Sequence, residues 1–132
     1  MKIKMVASLA LGMMLAVSGC GTGHDRPDDS QETVTVQTEK GEVEILANPQ
    51  RIADISGVSD ILYIIGHKPV ATADADAYNL TEFPTYLAEV LDGARIVGYS
   101  MSETVDIEGV LASEPDLIII NPRQEQVYDQ LS

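Results

Sequence analysis

The chain opens with an apolar block that carries no charge from Met5 to Val17, behind Lys2 and Lys4. From Gly21 to Glu32 there is no large apolar side chain at all. After that the rhythm changes. Thr33-Val34-Thr35-Val36 alternates, as Val43-Glu44-Ile45-Leu46 does in part, and Glu39-Lys40-Gly41-Glu42 between them is a turn signal, so a β-hairpin is predicted. Ile52 to Ile55 then reads as a short strand. Val58, Ile61, Leu62 and Ile65 fall on one helical face, with Gly66 placed to end it.

The same grammar repeats to the end. Pro69 to Ala73 is a second strand, and Phe83, Leu87, Val90 and Leu91 have helical spacing up to Gly93. Arg95 to Gly98 is a third strand, and Ile107, Val110 and Leu111 mark a helix ended by Pro115. Leu117 to Ile120 is a fourth strand, whose unbroken apolar run predicts a central position covered on both faces. Val127 and Leu131 begin a last helix. Strand and helix alternate four times, the signature of an α/β fold with right-handed crossovers around a parallel sheet.

Ligands of such sheets collect at the carboxyl ends of the strands. Here those ends are Ser56-Gly57, Asp74 to Tyr78, Tyr99 to Met101 and Asn121 to Gln124.

The leader has the basic start and apolar middle of a secretory signal, and it is short for a membrane span. It ends Leu15-Ala16-Val17-Ser18-Gly19-Cys20, which resembles the bacterial lipobox. That resemblance implies a signal peptide over 1–19, lipidation of Cys20 and a tether over 20–32 that anchors the protein to a membrane without spanning it. Cys20 is the only cysteine, so no internal disulfide is possible. One domain, residues 33–132, remains.

Charge narrows the partners. The formal net charge is −13, and loss of the two leader lysines makes the mature chain more acidic still. This argues against nucleic acid as a partner, since there is no basic footprint. Any anion site must be built from a few cations among Arg26, Lys40, Arg51, Lys68, Arg95 and Arg123.

No catalytic constellation is present. His24 lies in the tether and His67 in a helix-to-strand turn, both expected on the surface and away from the strand ends. The glycines spell neither a dinucleotide nor a phosphate loop. Asp74 and Asp76 alone are too few oxygen ligands for a hard metal, and a solvated loop is expected there. Arg123 either forks hydrogen bonds onto an oxygen-rich ligand or pairs with Glu125 or Asp129. Tyr99 either stacks on a ligand or covers the sheet edge. Glu108 reads as the solvated flank of the third helix.

One order of motifs says more. Asn48-Pro49-Gln50-Arg51-Ile52, Asp60-Ile61-Leu62 through Gly66, Lys68-Pro69-Val70, Val97-Gly98, Asp106-Ile107-Glu108 and Glu114-Pro115-Asp116 to Ile120 follow one another behind the lipobox. Together they resemble the substrate-binding lipoproteins of ABC importers for iron-siderophores, haem and cobalamin, over Thr33 to Ser132. The resemblance implies the N-terminal lobe of a two-lobed periplasmic-binding-protein fold, with the connecting helix and second lobe absent. It implies no enzyme activity, no cofactor and no protein-bound metal.

The implied ligand is a ferric siderophore, with haem or cobalamin as the alternative within the family and a truncated, non-transport surface lipoprotein as the alternative outside it. By the same resemblance Ser56, Tyr99 and Arg123 line the ligand cleft, Glu108 docks the ABC permease, and the protein works at the extracytoplasmic face of the cell membrane. Histidines that hold bare metal in related proteins are missing from these loops, so a chelated ion is implied.

Overall fold

A computed structural model of the chain describes residues 31–132. The predicted leader, Cys20 and the tether as far as residue 30 lie outside the described residues. The hairpin forms as predicted. Strands β1 (Thr33–Thr38) and β2 (Gly41–Leu46) pair antiparallel with Thr38 opposite Gly41.

The main sheet has four parallel strands: β3 (Ile52–Asp54), β4 (Ala71–Thr72), β5 (Arg95–Ile96) and β6 (Leu117–Ile119). Their order across the sheet is β5-β4-β3-β6. The ladder runs past the short strands, with Ile55 N donating to Ile119 O at 2.9 Å and Ala73 N to Asp54 O at 2.9 Å. Helices α1 (Ser59–Ile64), α2 (Ile107–Ala112) and α3 (Glu125–Leu131) flank it. Ala53, Ile55, Ala71, Ala73, Val97, Val110 and Val127 form the core.

The most apolar strand is not the central one. Every residue of β3 is buried, whereas β6 stands at the edge and is only half-buried. The apolar run in β6 packs Ile118 and Ile120 against the core and lines a hollow beside the hairpin. It does not report how many strands lie beside it.

The predicted helix over Phe83 to Leu91 is instead a series of turns. Ala88 N donates to Pro84 O and Leu91 N to Leu87 O, but these bonds do not join into a helix. Leu87 and Leu91 are buried all the same. Two leucines one turn apart create the helical spacing, and two turns suffice to bury them without the cost of nucleating a full helix.

Helix α1 is present but rotated from its apolar prediction. Leu62 is buried, yet Ile61 and Ile65 are exposed, and Ser59 is turned inward. A buried hydroxyl needs partners, and Ser59 finds them below the helix. The helix ends as a Schellman motif. Gly66, at φ 92°, donates to Tyr63 O at 3.0 Å, and His67 N donates to Leu62 O at 2.8 Å.

Candidate ligand-binding face

Asp54 is the last residue of β3, and its carboxylate is fully buried. It accepts hydrogen bonds from Ser56 N (2.9 Å), Ser56 Oγ (2.7 Å), Val58 N (2.9 Å) and Ser59 Oγ (2.6 Å). A buried acid is tolerated only with such a complete set of donors. The turn after β3 and the start of α1 are therefore wound around one carboxylate.

The network continues sideways. Ser59 Oγ lies 2.8 Å from Thr72 Oγ1, and Thr72 Oγ1 accepts from Asp74 N at 3.0 Å. Asp74 in turn accepts from Ser59 N at 3.3 Å. Asp74 is half-buried, which corrects the expectation of a solvated loop at that position. Burial raises the Asp74 carboxyl above its ordinary range, the hydrogen bond from Ser59 works against that, and the Asp54 carboxylate adds to the rise.

The other two strand ends join the same face. Asp74 pairs with Tyr99 in an isolated antiparallel bridge. Gly57 comes so close to the third loop that a Cβ built on it would lie 2.7 Å from Ser100 Cβ. Asn121 Nδ2 donates to Ser56 O (3.1 Å) and Ser100 O (3.3 Å). The buried Gln124 donates through Nε2 to Ser100 O (2.9 Å) and Ser102 O (3.2 Å). Asn121 and Gln124 also cap each other across the short 3-10 turn Pro122–Gln124. Four loops, far apart in sequence, are thus fastened together.

The candidate residues can now be placed. Ser56 and Tyr99 belong to neighbouring loops of this face and are both half-buried. Arg123 is exposed on the 3-10 turn, with its backbone N–H bonded to Asn121 Oδ1 at 2.8 Å. The alternative of a pairing with Glu125 or Asp129 does not form among the described residues. Glu125 pairs with Lys40 instead. Glu108 is exposed in the first turn of α2. That helix starts beside β5, where Asp106 N donates to Val97 O at 2.7 Å, so Glu108 stands at the loop end of the sheet. Tyr78, Leu80 and Met101 are exposed on or near the same loops.

Hollows lie elsewhere. One of about 690 Å³, lined by Arg51, Lys68, Asp92 and Arg95, sits at the opposite end of the strands. Another of about 480 Å³ runs between the hairpin and β6. Asp54, Asn121 and Gln124 were not singled out by sequence reasoning. An acid inside Ile52-Ala53-Asp54-Ile55, with serines two and five residues later, was the signal for the first.

No protein-family model matches the chain, and no curated protein does. Solved structures do match it. The chain is similar to Staphylococcus aureus SirA, solved in complex with staphyloferrin B (29% identity, 75% of this chain and 33% of that one, TM-score 0.64). It is similar to the periplasmic catecholate-siderophore binding protein VctP from Vibrio cholerae (33% identity, 76% and 34%, TM-score 0.60). It is also similar to the iron uptake ABC transporter substrate-binding protein PiuA from Streptococcus pneumoniae (28% identity, 76% and 34%, TM-score 0.59). VctP and PiuA are named as binding proteins, and SirA was solved with staphyloferrin B bound. By fold and by sequence similarity the chain is a relative of the siderophore-binding periplasmic proteins of ABC importers, of whose length it spans about a third.

Proposed function

We propose that the chain is the N-terminal lobe of a substrate-binding component of an ABC importer. In this reading it captures a ferric siderophore outside the cytoplasm and presents it to the permease. The observation that carries the proposal is the fastened loop face. Asn121, Gln124 and Asp54 hold the first, third and fourth strand-end loops in one arrangement, and the Ser59–Asp74 hydrogen bond with the Asp74–Tyr99 bridge ties in the second, which is the preorganisation a binding surface needs.

On that face Arg123 supplies a charge that stays on at every pH and makes no ion pair among the described residues. Tyr99 supplies a flat contact and Ser56 a small polar one. Glu108, exposed at the same end, is the contact for arginines of the permease. Lipidation of Cys20 and the polar tether hold the lobe at the membrane surface.

The test is direct binding to a panel of ferric chelates, haem and cobalamin. The chain contains tyrosines and no tryptophan, and Tyr78 and Tyr99 lie on the loop face, so quenching of tyrosine emission reports binding. Saturable binding of a ferric siderophore that Arg123→Ala weakens supports the assignment. Binding of haem or cobalamin alone transfers the proposal to those ligands. Unchanged affinity for every chelate in Arg123→Ala removes Arg123 from the site.

A further inference from the structure

The donors and charges of this face indicate what kind of chelate it takes. We infer, building on the binding role just proposed, that the ligand is a ferric trihydroxamate without negative charge, and not an anionic catecholate complex.

The first observation is the balance of charge. The loops of the face carry Asp74 and Asp76 after β4, Glu103 in the stretch after β5, and Arg123 after β6. Beneath them Asp54 is buried under Ser56 and Ser59. The Asp74 carboxylate stands among the candidate contacts themselves. Its Oδ1 would lie 3.4 Å from a Cβ on Gly57, and its backbone bridges to Tyr99. A trianionic complex laid on this face meets one cation and several carboxylates. The screening length in physiological salt, about 8 Å, is too long to hide those charges from a ligand in contact. The chain as a whole, at −13, repels an anion on approach as well.

The second observation is independent of charge and concerns hydrogens. Ser56 Oγ has a single proton, and it donates that proton to Asp54 Oδ1 at 2.7 Å. Toward a ligand Ser56 therefore offers lone pairs only. Asp74 and Asp76 offer only acceptors too. Asn121 spends its amide protons on Ser56 O and Ser100 O. Beside Arg123 the Ser56, Asp74 and Asp76 side chains present acceptors, and the hydroxyls of Tyr99 and Ser100 are the donors that remain. The face suits a chelate that brings N–H groups, such as backbone amides or a pendant ammonium, and leaves one oxygen-rich edge for the guanidinium. Trihydroxamates, whose three single negative charges cancel those of iron(III), have this composition.

The experiment uses the full-length chain in a neutral detergent, with ferrioxamine B and ferric enterobactin as probes. The expected result is an affinity at least about tenfold higher for the hydroxamate at physiological salt, a gap that narrows in high salt. Asp76→Asn, at a half-buried position of the same loop, and Asp74→Asn both narrow it further. Equal or tighter binding of the catecholate overturns this inference and leaves the siderophore role standing. So does a preference that neither asparagine variant changes. Failure to bind either probe, or any other chelate, overturns the siderophore role and this inference with it.

Discussion

Asp116 and Arg51 hold each other from opposite directions. The Asp116 carboxylate accepts the backbone N–H groups of Gln50 and Arg51, both at 2.8 Å. The Arg51 side chain reaches back to the carbonyls of Ser113 and Glu114, with Nε donating to Glu114 O at 2.8 Å. So the Asn-Pro-Gln-Arg and Glu-Pro-Asp motifs, more than sixty residues apart, are two halves of one clamp. It sets β3 beside β6 and closes the end of α2, whose last carbonyls lack helical partners. Asp116→Ala is expected to cost about 1–2 kcal/mol, since water reaches the freed N–H groups and softens the loss. Arg51→Lys loses the two-pronged contact and is expected to cost about 1 kcal/mol. Urea denaturation of each variant checks both figures.

Asn121 is expected to matter for binding more than for folding. Its amide is the strap between the first, third and fourth loops. Asn121→Ala leaves two carbonyls without that partner, a loss of about 1–2 kcal/mol. The loops separate locally, so affinity for the chelate should fall while the core stays intact. Amide hydrogen exchange should show protection lost around Ser56 and Ser100 and kept at Ala53 and Ala71.

Asp74 gives a pH test with a definite sign. Its carboxyl is raised in the folded protein, chiefly by burial, above the value of 3.8 it starts from. The folded state therefore holds the proton more tightly than the unfolded chain. Stability from this group is fully present below the unfolded value and is lost as pH rises through the folded one. At neutral pH Asp74→Asn should raise the melting temperature, because Asn can still accept from Ser59 N and carries no charge. The advantage should vanish in acid, once the wild-type carboxyl is protonated. A melting series across pH would refute the assignment if the advantage were the same at every pH.

Two glycines separate backbone strain from crowding. Gly66 and Gly57 both have positive φ, 92° and 88°. A Cβ on Gly66 meets nothing within 4 Å, whereas one on Gly57 meets Ser100 at 2.7 Å. Gly66→Ala should cost only the left-handed backbone penalty, about 1–2 kcal/mol. Gly57→Ala should cost more and also push the first and third loops apart, so it alone should weaken ligand binding.

The Lys40–Glu125 pair should matter little. It links the hairpin to α3, with Lys40 also over the Tyr128 ring at 5.7 Å. Both charges are exposed, and such pairs rarely change stability measurably. Lys40→Ala should melt within error of the wild type.

Periodicity and turn chemistry were enough to determine the hairpin, four strands in order, three of the helices and the side of the sheet where loops gather. These follow from local rules, because alternation, helical spacing and glycine placement act within a few residues. The motif order pointed to the family that the solved structures bear out in fold. What tertiary structure decided is everything that depends on partners far away in the chain. It put β3 at the centre and β6 at the edge, since strand order is a matter of pairing and not of apolar content. It replaced the Phe83 to Leu91 helix with turns, because two buried leucines met the core's need. It turned Ser59 inward, against the apolar reading of α1, because the buried carboxylate of Asp54 required a donor there. And it gave Asn121 and Gln124 their role, which no local pattern could announce, since the carbonyls they hold belong to loops brought near only by the fold.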